Sequence, residues 1–215
     1  MDADAFLLDF DGPVCDLFPV GSGSTIADRA REPVHAAGVV MPEGVASTVG
    51  HLVVLGFAAA HAPAVLEEVE RAAIDGEIDA ARSAPITAGV REFLEMCART
   101  GRPVVIVSNN AAAAIELFLE RHDLTHLVTG VLGRPYARPD LMKPDPFLAG
   151  EALALLDRPR CCMIGDSATD IEFSHRAGLS SIAYAKSPRH EARLRPAGPD
   201  AIVHTMGELA AMMVT

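Results

Sequence analysis

Four short apolar runs that end in polar residues constrain this chain more than any other feature: AFLLDF near the start, PVVIVSNN at 103–110, RCCMIGD at 160–166 and SSIAYA at 180–185. Runs of this length, bounded by acids, asparagine or glycine, read as buried strands. The later ones are each followed by a segment of helical periodicity. Strands that alternate with helices form right-handed crossover units, so the expected fold is α/β, with a Rossmann-like three-layer core around a parallel sheet. Ligands of such sheets bind at the carboxyl ends of the strands. Two of the four runs end in aspartate and a third in Ser-Asn, so polar groups gather at that edge.

Between residues 17 and 85 the texture changes to alanine-rich amphipathic stretches such as STIADRAREPVHAAG and APAVLEEVERAAIDGEIDAARSA. This predicts a small α-helical domain inserted after the first strand, at 17–85, with the α/β core made of 1–16 and 86–215. PITAGVREFLEMCARTG then reads as a helix closed by a glycine and leading into the second strand. GSGS at 21–24 and the stretch 42–44 are expected hinges or turns.

The chain has 215 residues, half of them hydrophobic, enough for one substantial core and a smaller unit beside it. No apolar run approaches the roughly 20 residues of a membrane helix, and the first residues are acidic where a secretory signal would be basic. A cytoplasmic protein without a membrane partner is expected. The net charge of -11 disfavours nucleic acid, whose binders present basic stripes. A small ligand fits better, with the protein a monomer or homodimer. The four cysteines, Cys15, Cys97, Cys161 and Cys162, show no zinc spacing, and no structural disulfide is expected. The only lysines are Lys143 and Lys186.

The chemistry-bearing residues fall at the strand ends. Asp9 and Asp11 stand two apart in DFDG, where the first side chain and the neighbouring backbone can address one bound ion. Ser108 and Asn109 close the second run, Lys143 is expected to open a helix in LMKPDP, and GDSATD supplies Asp166 and Asp170. Taken singly, each has a plain alternative: a solvated turn, a helix cap, a surface charge. In this order they resemble the haloacid dehalogenase-like superfamily, in particular its branch of phosphoglycolate phosphatases and β-phosphoglucomutase-like enzymes with a helical cap. The resemblance covers residues 4–16 and 86–205 by motif, and the cap by position and helical texture.

The resemblance implies a magnesium-dependent phosphatase acting on a small phosphorylated metabolite. Asp9 would be the nucleophile, forming an aspartyl-phosphate, and Asp11 the general acid and base. Mg2+ would be held by the Asp9 and Asp166 side chains and the Asp11 carbonyl. Ser108, Asn109 and Lys143 would grip the phosphoryl group, with Asp170 supporting Lys143 or a metal-bound water. A doubly negative ester repels a carboxylate nucleophile, which is why such chemistry needs a cation. Pro13 departs from the threonine that the family often carries there, leaving the loop without that hydroxyl. In the cap, Arg29, Arg31 and His35, then His51 and His61, are the polar candidates for substrate contact. The cap contains no lysine, which argues against a phosphonatase using a cap Schiff base. A mutase with the same aspartyl-phosphate, and a phosphate-binding protein without turnover, are the alternatives. A dehalogenase is disfavoured by Asp11.

Overall fold

The computed structural model of the chain describes residues 3–19 and 23–213. Its strands are β1 (Ala5–Leu8), β2 (Val104–Val107), β3 (Gly130–Leu132), β4 (Cys161–Gly165), β5 (Ser180–Tyr184) and β6 (Ala201–Val203). They form one parallel sheet in the order β3-β2-β1-β4-β5-β6. β1, β2, β4 and β5 occupy the four apolar runs. β3 and β6 are additional edge strands of three residues, half-buried or partly exposed, and so leave no apolar run in the sequence.

Successive strand residues point to opposite faces, and the parity of the central strands divides the core into two layers. Phe6 and Leu8 of β1 pair in register with Val104 and Ile106 of β2 and with Cys162 and Ile164 of β4. These side chains pack with α5 (Val90–Arg99), α6 (Ala112–Arg121) and α10 (Met206–Met212). Ala5, Leu7, Val105, Val107 and Met163 face the other way, against α7 (Phe147–Leu156) and Phe173 of α8 (Ala168–Arg176). Leu194 of α9 (Pro188–Leu194) packs with Ile171 and Ala183. No helix among the described residues is long and apolar enough to cross a membrane, and the four cysteines are buried and unpaired.

Residues 17–85 carry α1 (Gly23–Ala36), α2 (Glu43–Ala46), α3 (His51–His61) and α4 (Leu66–Ala81), around a separate apolar centre of Ala27, Ala30, Val34, Val54, Leu55, Ala58 and Val69. Helices α1 and α4 approach closely because Gly76 has no side chain: a Cβ there would lie 2.8 Å from the Ile26 side chain. Of the hinge expected at 21–24, residues 21 and 22 lie outside the described residues, and Gly23 begins α1. Pro42, in the second expected turn, is the N-cap of α2.

Candidate active site

From β1 the chain goes outward to β2 and β3, then returns across the sheet to β4, so β1 and β4 flank the point where the winding reverses. Crevices form at such points beyond the carboxyl ends of the strands. A cavity of about 570 Å³ lies here. Asp9, Asp11, Ser108, Asn109, Lys143, Asp166 and Asp170 line it from the core, while Phe18, Val49, Gly50, His51 and Leu52 close it from the insert.

Asp9 leaves β1 with its amide donating to Ile164 O at 2.9 Å, and its Oδ1 accepts the Phe10 amide at 2.8 Å. Lys143 Nζ lies 2.8 Å from the same Oδ1, 2.6 Å from Asp170 Oδ1 and 3.0 Å from Val107 O. Burial opposes a charged lysine, but the Asp170 and Asp9 carboxylates outweigh it and hold the ammonium above its usual pKa. Lys143 does not open a helix as expected: α7 starts at Phe147, and Lys143 sits in the preceding loop ahead of a cis Pro144. A residue before proline is kept out of the helical region. Asn109 fixes it instead, its Nδ2 donating to Lys143 O at 3.0 Å and its Oδ1 accepting Lys143 N at 2.8 Å.

Asp170 is an early-helix residue and a partner of Lys143 at once. Ser167, not Asp166, is the N-cap of α8. Its hydroxyl accepts the Asp170 amide, while Asp170 Oδ2 accepts from Ser167 N at 3.1 Å and Oγ at 2.7 Å. Oxygens of Asp9, Asp166 and Asp170 lie within 4.8 Å of one another. Both Asp170 oxygens are committed, which leaves Asp9 and Asp166 for a cation. Burial and then the Asp9 charge, offset in part by Lys186 at 3.6 Å, raise the Asp166 carboxyl to about 8. Asp9 is raised to about 6 by burial and the Asp170 charge, against Lys143 and the Phe10 amide. Two carboxylates lacking sufficient positive charge, in an all-oxygen setting, fit a hard divalent cation such as Mg2+. Gly12 makes the approach possible: at φ +111 its backbone runs so close to Asp166 that a Cβ would lie 2.3 Å from the carboxyl carbon.

Asp11 accepts the Leu17 amide at 2.9 Å, and burial raises its carboxyl against that bond. Thr87 Oγ1, in the loop before α5, donates to Gly12 O at 2.8 Å. Cys15 is fully buried and its thiol is pushed up by that burial, so it is a packing residue. Ser108 Oγ donates to Asn110 Oδ1 at 3.1 Å.

Arg29, Arg31 and His35 do not line the cavity, which corrects the expectation for the insert. Arg29 is exposed, 3.4 Å from Asp79. Arg31 is buried, but its guanidinium pairs with Asp28 at 2.5 Å and donates to Val45 O at 3.1 Å and to Thr48 O, tying the insert together. His35 is exposed in the last turn of α1. His51 is the histidine that faces the site. Its Nε2 lies 2.8 Å from Glu77 Oε1, and its ring packs edge-on against Phe18 with centroids 5.4 Å apart.

Sequence reasoning missed the group behind His51. Glu77, fully buried on α4, also receives Ala111 N at 2.9 Å, Asn110 Nδ2 at 3.2 Å and Arg134 NH1 at 2.9 Å. Arg134 in turn lies 2.7 Å from Glu70 and donates to Asn109 O at 2.6 Å. Burial opposes the Glu77 charge, but the His51 hydrogen bond and Arg134 bring its pKa down to about 2. The available signal was two glutamates seven apart on the same stripe of α4 as Val69 and Ala73.

A model of the haloacid dehalogenase-like hydrolases matches residues 3–178. A phosphoglycolate phosphatase of Aliivibrio fischeri is 30% identical over 127 residues, 58% of this chain, and the match spans 55% of that relative's length. CbbY from Rhodobacter sphaeroides, solved in complex with phosphate, shares the fold with a TM-score of 0.68 at 20% identity, covering 96% of each chain. A phosphonoacetaldehyde hydrolase-like protein from Oleispira antarctica aligns with a TM-score of 0.72 at 13% identity, covering 100% of this chain and 92% of the other. With a family match over most of its length and the family's fold around this cluster of aspartates and lysine, the chain belongs to the haloacid dehalogenase-like hydrolases.

Proposed function

We propose that the chain is a magnesium-dependent phosphatase that hydrolyses a small phosphate monoester through an aspartyl-phosphate on Asp9. The observation that carries this reading is the buried Lys143 ammonium, 2.8 Å from Asp9 and on the floor of a cavity that also exposes Asp166. A fixed cation beside a carboxylate nucleophile is what attack on an anionic ester requires. The name of the Aliivibrio relative supports a phosphate ester as substrate, and the CbbY complex a phosphate-binding site on this fold.

Mg2+ held by the Asp9 and Asp166 carboxylates and the Asp11 carbonyl would offset the charge of the ester and orient it. Lys143 and the Ser108 hydroxyl would hold non-bridging oxygens, with Asn109 keeping Lys143 in place. An Asp9 oxygen attacks phosphorus as the bond to the leaving oxygen breaks, and Asp11 delivers its proton to that oxygen. Burial raises the Asp11 carboxyl and so favours the protonated form that this step needs. Asp11 then takes a proton from a water whose oxygen bonds to phosphorus, the Asp9 oxygen–phosphorus bond of the acyl phosphate breaks, and inorganic phosphate leaves. No lysine of the insert is available for a Schiff base, which sets this reading apart from phosphonate cleavage. We place the enzyme in the cytoplasm, as a monomer or homodimer.

The test is phosphate release from a panel of monoesters, with and without Mg2+, for the wild type and Asp9→Asn. Metal-dependent release that falls by on the order of 10³-fold or more in the mutant is expected. Wild-type turnover by a pure Asp9→Asn protein would sink the nucleophile assignment, and an isomerised ester without free phosphate would assign the mutase reaction instead.

A further inference from the structure

The insert's wall of the cavity makes a statement about the leaving group. It consists of Phe18, Val49, Gly50, His51 and Leu52. Among the described residues, no arginine or lysine of the insert lines the cavity, and Arg29 and Arg31 are engaged elsewhere. His51 is the wall's single ionisable group, and it belongs to the buried cluster with Glu70, Glu77 and Arg134. Two carboxylates and one guanidinium sum to -1, so the cluster is neutral with His51 protonated and negative with it neutral. In either state the wall offers no net positive charge to a second anion. On the core side the Lys143 ammonium is shared by Asp9 and Asp170, and a cation held by Asp9 and Asp166 would be taken up by the reacting phosphoryl group, so neither is left over for a second anion. Lys186 approaches Asp166 at 3.6 Å from outside the lining.

Size and exposure point the same way. A cavity of about 570 Å³ lies within the range of roughly 300–1,000 Å³ that encloses drug-sized ligands, and a two-carbon acid would leave most of it to water. Val49 at its mouth is 66% exposed, an apolar surface that a ligand can cover. His51 Nε2 is committed to Glu77, which leaves Nδ1 as the wall's side-chain hydrogen-bonding atom.

Building on the phosphatase reading, we propose that the substrate is the phosphate monoester of an uncharged alcohol with an apolar body. That body is covered by Phe18, Val49 and Leu52, and His51 is its polar contact. Esters carrying a carboxylate or a second phosphate on the leaving group are discriminated against, because that anion would be stripped of water against Phe18, Val49 and Leu52, where no arginine or lysine among the insert's described residues lines the cavity.

The experiment compares kcat/KM for benzyl phosphate and 2-phosphoglycolate at equal ionic strength with Mg2+, in the wild type and in Val49→Arg. Both esters release a primary alkoxide, so the comparison reads recognition. Benzyl phosphate is expected to be preferred by roughly 10-fold or more. Val49→Arg, at a position exposed enough to host the longer side chain, is expected to shift the ratio toward 2-phosphoglycolate by at least about 5-fold. A wild-type preference for 2-phosphoglycolate, or equal use of both, overturns the proposal, as does an unchanged ratio in Val49→Arg. Those results leave the phosphatase reading standing. Absence of release from every ester by folded protein removes that reading, and this one falls with it.

Discussion

Lys143 shows how much depends on single side chains here. Its ammonium is almost wholly buried and is stabilised by Asp9, Asp170 and the Val107 carbonyl. Removing one member of such a buried set leaves the others uncompensated, at a cost of about 3–5 kcal/mol. Lys143→Met keeps much of the volume, and is expected to destabilise the protein by that amount in urea unfolding at pH 7 and to abolish turnover. Retained stability would mean that the carboxylates find other partners. Gly12→Ala tests the opposite kind of constraint, since its Cβ would meet the Asp166 carboxyl. The expected result is a folded protein whose melting temperature no longer rises with added Mg2+. At this scale the gathering of Asp9, Asp11, Ser108, Asn109, Asp166 and Asp170 at one cavity was legible, because their places follow from strand ends, and Lys143 joins them from the loop before α7. Arg29, Arg31 and His35 were misjudged, because which side of α1 faces the cavity depends on its packing against α3 and α4, and no local pattern encodes that.

At the scale of elements, α8 is held by a capping box that also serves the site. Ser167 receives the Asp170 amide, and its hydroxyl in turn donates to Asp170 Oδ2 at 2.7 Å. Ser167→Ala is expected to cost about 1 kcal/mol of stability and to lower kcat more than it raises KM, because the carboxylate that holds Lys143 loses an anchor. An unchanged kcat would restrict Ser167 to capping. The four strands legible in the sequence are those flanked by neighbours on both edges, whose two faces are both covered and which therefore read as unbroken apolar runs. The short edge strands β3 and β6 satisfy no such pattern, and their pairing is supplied by the sheet already formed. Helix α4 was legible as a helix, but nothing local marked Glu70 and Glu77 as buried, because their partner Arg134 lies 64 and 57 residues away in sequence.

Across the whole molecule, the buried cluster is what joins the insert to the core: α3 and α4 contribute His51, Glu70 and Glu77, while the core contributes Arg134, Asn110 and the Ala111 amide. Glu77 is fully buried with its pKa brought down to about 2; burial alone would raise it, and His51 and Arg134 prevail. In the unfolded chain the same carboxyl titrates near the ordinary glutamate value of 4.5. As pH falls below that value the unfolded state takes up the proton first, so the contribution of Glu77 is complete above about 4.5 and is lost progressively toward 2. The difference amounts to on the order of 3 kcal/mol. Glu77→Gln removes the titrating group while keeping a side chain of similar shape. Its stability at pH 7 is expected to be lower than that of the wild type, since Arg134 loses a counter-charge and His51 its carboxylate partner. Between pH 5 and 3, however, its urea midpoint is expected to fall less steeply than the wild-type midpoint. Parallel slopes for the two proteins would mean that acid unfolding is governed by other carboxylates and that the junction between insert and core survives protonation of Glu77.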